Sequence, residues 1–126
     1  MTRKLPSVRV VLTAATAALI LALVPSALAA KRGATGATIT FNPTTVAVGQ
    51  TYQVNVSGLR PNTWGNVGAY YISSDAAYWC SGTSDSAGSF SCTFTAEKAG
   101  TILHEAYQKN HNRYRLQASA YLTVSP

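Results

Sequence analysis

The sequence predicts an all-β fold, an antiparallel β-sandwich of about seven strands closed by one disulfide bond. Apolar and polar residues alternate with period two along most of the chain beyond residue 36, and no helical periodicity accompanies them. Turn-forming residues separate these segments at intervals of roughly 8 to 15 residues. Because a sheet with one apolar face must cover that face, strands of this kind pack as two layers.

Length and composition limit the protein to one small domain. It has 126 residues, of which 47% are hydrophobic and 11% are charged, and its formal net charge is +6. A disordered chain would carry far more charge, and a coiled coil would need many more Glu, Lys, Leu and Arg residues. Both classes are therefore excluded.

The first 29 residues have the organisation of a secretory signal peptide. A basic start precedes an uncharged apolar stretch at residues 10–24, which is shorter than the roughly 20 residues needed to span a bilayer. Small residues at Ala27 and Ala29 predict cleavage after Ala29. We therefore expect a secreted, extracellular protein.

Cleavage there leaves an N-terminal tail at residues 30–36 and a folded domain at residues 37–126. The exported part has seven Lys and Arg residues against four Asp and Glu residues, a net charge of +3. A nucleic-acid binder of this size would show a denser basic stripe, so no nucleic-acid partner is expected. No second apolar stretch follows the leader, and stable membrane insertion is not expected either.

Both cysteines lie in the exported part, where an oxidising compartment favours a disulfide bond between Cys80 and Cys92. Closing so short a loop restricts the unfolded chain by roughly 3 kcal/mol in the chain-entropy model. A metal or redox site is disfavoured, because the chain has no C-x-x-C spacing and no cluster of ligating side chains. No metal and no cofactor are predicted.

Turn residues divide the first half of the domain into short alternating segments. The predicted strands there are residues 37–41, 46–48, 52–57 and 64–72, and a further strand begins at residues 76–80. The first two are interpreted as pieces of one edge strand, interrupted by the turn at Asn42-Pro43.

The next connection has the clearest turn chemistry. Residues 85–88 place Asp first and Gly last, as type I turns prefer, and residues 90–94 then alternate with Cys92 facing inward. A plain hairpin at this turn would put Cys80 opposite Thr93. A disulfide bond across it would therefore require a bulge or a different register.

A polar and basic segment, residues 108–115, is predicted to be a loop between the last two strands. Residues 101–108 form the first of these strands, with Ile102, His104 and Ala106 assigned to its inward face. The last strand has the cleanest pattern, and its predicted inward residues are Leu116, Ala118, Ala120, Leu122 and Val124.

Four segments, taken in order, carry a resemblance to a known family. They are residues 48–63 (VGQTYQVNVSGLRPNT), 84–95 (SDSAGSFSCTFT), 99–101 (AGT) and 118–124 (ASAYLTV). Together they resemble a bacterial immunoglobulin-like module, common in secreted and surface proteins of actinobacteria. The resemblance implies an immunoglobulin-like sandwich but no particular ligand, because such modules serve as spacers, adhesins and accessory domains.

A predicted disulfide bond near the turn at residues 85–88 gives the chain a second resemblance, to the apoproteins of the enediyne chromoproteins. These are small secreted sandwiches that carry an apolar ligand in a cleft. The likeness implies a second function, that of a carrier for a small apolar molecule.

Adjacent aromatic residues form the first candidate binding group. Neighbours on a strand point to opposite faces, so each aromatic doublet sends one ring outward. Exposed Tyr and Trp rings suit the apolar faces of sugars or another protein, whereas cross-strand packing is the structural alternative. The residues of this group are Trp64, Tyr70, Tyr71, Tyr78 and Trp79.

The polar segment before the last strand is the second candidate. Loops on a rigid scaffold often carry binding residues, and a cationic loop suits teichoic acid, acidic polysaccharide or phospholipid headgroups. A solvated loop that only aids solubility is the alternative. Its candidate binding residues are Lys109, His111, Arg113, Tyr114 and Arg115.

Catalysis is not predicted. The chain has no G-x-S-x-G elbow, no H-E-x-x-H pair and no Gly-rich phosphate loop. His104 and Glu105 are adjacent and so lie on opposite faces of a strand, where they cannot chelate one ion. We expect His104 to be a partly buried strand residue that is hydrogen-bonded to its surroundings.

These observations predict a non-enzymatic binding module whose partner is an extracellular protein or glycan. The carrier of a small apolar ligand, held in a cleft of the sandwich, is the first alternative. The second is a structural component of the envelope that self-associates through open sheet edges.

Overall fold

The structure is a computed structural model, and it describes residues 31–32 and 36–126. The predicted signal peptide, residues 1–29, lies outside the described residues. No helix among the described residues is long and apolar enough to cross a membrane.

The described chain is all-β, as predicted. Seven strands have five residues or more, and two additional strands have two residues each. In chain order the strands are β1 (Lys31–Arg32), β2 (Thr38–Asn42), β3 (Val46–Ala47), β4 (Thr51–Ser57), β5 (Trp64–Tyr71), β6 (Ala77–Thr83), β7 (Phe90–Thr95), β8 (Gly100–Asn110) and β9 (Arg113–Ser125).

The strands form two sheets, which confirms the predicted two-layer arrangement. One sheet has the order β1-β2-β4-β7, and the other has the order β3-β9-β8-β5-β6. Neighbouring strands are antiparallel, with the exception of the short parallel pair β3 and β9. Because the inner side chains alternate along each strand, the two sheets bury their apolar faces against each other.

The turn at Asn42-Pro43 is the place where the chain changes sheets. β2 pairs with β4 in the four-stranded sheet, whereas β3 pairs with β9 in the five-stranded sheet. The prediction that residues 37–41 and 46–48 are two pieces of one edge strand is therefore wrong. Proline has no N–H for a sheet ladder, so the strand stops there and the chain resumes in the other layer.

The core lies between the sheets and contains most of the inward residues that the alternation predicts. Ile39, Val54, Val67 and Ile102 are fully buried there. His104 is also fully buried, although it was expected to be only partly so. Each fully buried aliphatic side chain of this size contributes about 1.5 to 3 kcal/mol to folding.

The disulfide bond between Cys80 and Cys92 is confirmed, with their Cα atoms 6.1 Å apart. The turn at residues 85–88 forms as well, since the Gly88 N–H donates to the Asp85 carbonyl oxygen over 3.0 Å. However, β6 and β7 are edge strands of different sheets and do not pair. The hairpin interpretation is therefore wrong: the disulfide bond joins the two sheets, and no bulge is needed.

The predicted loop at residues 108–115 is wrong as well. β8 and β9 continue as a hairpin whose turn contains only His111 and Asn112. Within this hairpin Ala106 pairs with Ala118, but Tyr107 pairs with Leu116, so Gln117 is an extra residue on β9. A bulge of this kind reverses the facing of the residues beyond it. Leu116, predicted to be inward, is 45% exposed.

Candidate functional site

Large apolar side chains gather on the outer face of the five-stranded sheet. Eight large hydrophobic residues are exposed in the described chain, and the strand register places five of them on this face. We call it the outer aromatic face, and these five residues are Trp64, Trp79, Tyr114, Leu116 and Tyr121. A concentration of exposed apolar residues on one side of a small protein is typical of a binding surface.

At the centre of this face, aromatic rings lie directly over a glycine. Gly68 on β5 pairs with Trp79 on β6 and with Glu105 on β8. The ring of Tyr70 stands perpendicular to that of Trp79, with centroids 5.4 Å apart, and the Tyr107 ring lies 6.5 Å from Trp79 on its other side. These five residues are called the Gly68 cluster.

The missing side chain of Gly68 is what allows the rings to lie so close to the sheet. A Cβ atom at this position would come within 2.9 Å of atoms in the rings of both Tyr70 and Trp79. Trp79 is nevertheless 55% exposed, so most of its ring faces solvent. The cluster thus offers a supported aromatic surface to a ligand.

Glu105 supplies the cluster with a carboxylate. The Tyr107 hydroxyl donates a hydrogen bond of 2.8 Å to Glu105 Oε1. Burial and this hydrogen bond raise the pKa of Tyr107 to about 12. Burial, followed by the charge of Glu105, also raises the pKa of Tyr70. Both hydroxyls therefore stay protonated at neutral pH, next to one acidic group.

The predicted aromatic group is divided between the two faces of the sheet. Trp64, Tyr70 and Trp79 lie on the outer aromatic face. Tyr71 is only 5% exposed, and its hydroxyl accepts a hydrogen bond from the Glu97 N–H. Tyr78 points to the inner side of the edge strand β6 and donates to the Glu97 carboxylate. Each doublet sends one ring outward as predicted, but Tyr71 is not available to a ligand.

The predicted basic group is divided in the same way, because it lies on paired strands and not on a loop. Lys109 pairs with Tyr114, and both lie on the outer aromatic face. Arg115 pairs with the buried Gln108 and, like Arg113, is on the opposite side of the hairpin. His111 occupies the turn with a φ of 62°. These residues do not form one cationic surface.

His104 is enclosed by aromatic rings in the core. Its Nε2 atom lies 2.8 Å from the Tyr52 hydroxyl, as expected for a hydrogen-bonded strand histidine. The ring centroids of Phe41, Tyr52 and Phe94 are 4.8 to 6.0 Å from that of His104. Burial lowers the pKa of His104 to about 4. The ring is closed off from solvent and is not placed to act on a substrate.

Two hollows lie where the described parts of the two sheets meet. The hollow next to Gly65, Gly82 and Phe90 has a volume of only about 10 Å³, close to the minimum for one water molecule. A larger hollow of about 440 Å³, open to solvent, lies beside Phe41 and Leu122 at the side of the sandwich. No three His, Cys, Asp or Glu side chains of the described chain come together as metal ligands do.

Sequence reasoning missed Gly68, Glu105 and Tyr107, which complete the cluster. The alternation of residues 101–108 does place Glu105 and Tyr107 on the outward face of this strand. The missing information is that β8 lies next to β5, which brings both side chains beside Gly68.

Comparison with known proteins shows no family for this chain. No protein-family model matches it, and neither does any curated protein. Among solved structures the chain is similar to macromomycin, with 18% sequence identity and a TM-score of 0.47. The alignment covers 71% of this chain and 99% of that one. A likeness of this degree carries no conclusion about function.

Proposed function

We propose that this protein is an exported, non-enzymatic carrier that holds a small ligand on the Gly68 cluster, with a flat apolar part of the ligand against Trp79. The observation that supports the proposal is the cluster itself. An exposed tryptophan ring is braced there by two tyrosines, above a strand residue that has no side chain.

The packing of the cluster reduces the cost of binding. Ordering a free side chain at an interface costs about 0.5 to 1.5 kcal/mol, and the contacts with Tyr70 and Tyr107 already restrict the Trp79 ring. Tryptophan and tyrosine also combine a large apolar surface with a polar edge. These properties suit a planar ligand or one face of a sugar ring.

Export and the absence of turnover are part of the proposal. A disulfide bond between two sheets is typical of proteins from oxidising compartments, which supports export. The acidic group of the cluster accepts a hydrogen bond from a tyrosine hydroxyl and has no nucleophile beside it in the cluster.

Seven longer strands in two sheets are compatible with an immunoglobulin-like sandwich, and we include that assignment in the proposal.

A neutral planar probe, indole-3-ethanol, tests the proposed site. We expect its titration, followed by NMR, to shift backbone amides of β5, β6 and β8. Trp79→Ala should weaken binding by about thirtyfold, since a buried tryptophan contact is commonly worth about 2 kcal/mol. Ile72→Ala is the matched control, because Ile72 is 58% exposed but lies in the turn after β5.

Two results would contradict the proposed site. Shifts confined to the opposite sheet would place binding elsewhere, and equal affinities of the Trp79→Ala and Ile72→Ala variants would show that the ring does not contribute. Native mass spectrometry of the protein purified from its natural host supplies an independent check. A co-purifying small molecule that the Trp79→Ala variant loses would support a carrier.

A second candidate function is adhesion to an extracellular glycan or protein. The observation that favours it is the extent of the outer aromatic face, which continues beyond the cluster to Tyr114 and Tyr121. Cell-wall fractions should then retain the native protein better than a Lys109→Ala variant. Arg113→Ala is the control, since Arg113 lies on the opposite side of the same hairpin. Equal retention of all three proteins would exclude a contribution of Lys109, and equal retention of a Tyr114→Ala variant as well would exclude this face.

A further inference from the structure

Glu105 is the acidic residue at the centre of the outer aromatic face. Its partners across the neighbouring strands are Gly68 and Ser119, and both are uncharged. The hydrogen bond that its carboxylate accepts comes from a neutral tyrosine hydroxyl. Lys109, the next cation along the same face of β8, is four residues away, roughly 13 Å along the strand. The charge of Glu105 is therefore not balanced within the cluster.

The aromatic rings add to this negative potential. The faces of Trp and Tyr rings are the negative part of their quadrupole, and they attract cations that lie within about 6 Å. The side-chain oxygen of Asn66, opposite Tyr107 in register, is buried without a hydrogen-bond donor and adds a further uncompensated acceptor. The raised pKa values of Tyr70 and Tyr107 follow in part from the same carboxylate. A site that disfavours an additional negative charge favours a positive one.

We infer that the ligand of the Gly68 cluster carries a cationic nitrogen, a protonated amine or a quaternary ammonium group, which binds beside Glu105 and the face of Trp79. The inference rests on the proposed function and adds the chemical class of the ligand. One flat apolar part would lie on the tryptophan, and one positive charge would neutralise the carboxylate.

Two probes of the same shape distinguish the contribution of charge to binding from the contribution of ring stacking. Tryptamine and indole-3-ethanol share the indole ring and a two-carbon chain, but at pH 7 tryptamine ends in an ammonium group and indole-3-ethanol in a hydroxyl group. We expect tryptamine to bind about tenfold more tightly, as a charge-assisted hydrogen bond and a cation–π contact would provide. The preference should shrink as NaCl rises from 20 to 500 mM, roughly, because salt screens a partly exposed charge.

Two variants assign this preference to one side chain. Glu105→Gln keeps the shape and an acceptor for Tyr107, and it should remove the difference in affinity between the two probes. Asp75→Asn also removes one negative charge, but its site lies in the exposed turn between β5 and β6, so the difference should persist. The salt series on the native protein needs no variant and tests the inference even if Glu105→Gln does not fold.

The outcomes distinguish the inference from the function on which it rests. Equal affinities of the two probes, with binding still dependent on Trp79, would overturn the inference and leave the carrier function standing. Binding of neither probe would overturn both. A preference that Glu105→Gln leaves intact would assign the charge effect to another residue and overturn the inference.

Discussion

The buried His104 side chain makes the stability of this protein depend on pH below neutrality. Burial lowers its pKa from the ordinary 6.5 to about 4, although the backbone carbonyl groups of Ile102 and Ala120 oppose part of that change. The unfolded chain therefore binds a proton more tightly than the folded protein does. The stabilisation is complete above pH 6.5 and is lost as the pH falls toward 4.

The difference between the folded and unfolded pKa of His104 determines how much stability is lost in acid. A difference of about 2.5 pH units corresponds to about 3 kcal/mol, at 1.36 kcal/mol for each unit. The loss should be about 1 kcal/mol at pH 5.5 and about 2 to 3 kcal/mol at pH 4.5, and it should level off below pH 4. Small domains have a total stability of about 5 to 15 kcal/mol, so the protein loses a large share of it.

Urea unfolding at pH 7, 5.5 and 4.5, followed by tryptophan fluorescence, measures this loss. A His104→Gln variant keeps a polar group beside Tyr52 but does not titrate, so subtraction of its pH profile removes the contribution of the carboxylates. NMR titration of the His104 ring gives the pKa in the folded state directly. Parallel profiles of the native and His104→Gln proteins would refute the reasoning, as would a folded-state pKa near 6.5.

Three other changes test the architecture and the cluster. Replacing both Cys80 and Cys92 by Ser should lower the free energy of unfolding by about 3 kcal/mol, and unchanged urea midpoints would contradict this. Leu116→Gln should cost less than about 0.5 kcal/mol, whereas Leu122→Gln should cost about 3 kcal/mol; the reverse order would disprove the bulge. Gly68→Ala should alter the near-UV circular dichroism of the rings and weaken probe binding, because its Cβ atom would displace them. An unchanged spectrum would show that the rings do not rest on the glycine.

The inward faces of the strands could be predicted from sequence because period two is a property of the strand itself. Ile102, His104 and Ala106 are buried as the alternation indicates. The pairing of strands could not be predicted in this way, because the alternation within a strand is the same whichever strand lies next to it. For this reason the strands on either side of Pro43 were assigned to one sheet, and β6 and β7 were interpreted as a hairpin.

One extra residue on β9 shows how the pattern itself can mislead. Leu116 continues the apolar alternation of Ala118 and Leu122 in sequence, but Gln117 forms a bulge between them. The twofold repeat is then interrupted in space while it stays regular in the sequence. The consequence reaches the site, because Leu116 and Tyr114 join the outer aromatic face and Arg115 leaves it.

Gly68 illustrates why the candidate site could not be predicted from the sequence. From sequence alone Gly68 indicates only a weaker strand, since glycine in a strand interior costs roughly 0.5 to 1 kcal/mol relative to alanine. Strand glycines also occur where another group approaches the backbone closely, and here that group is a pair of aromatic rings. Burial of ring surface against the glycine offsets the weaker strand. The same contact holds Trp79 in a defined position across Gly68 from Glu105, which a freely rotating surface tryptophan would not maintain.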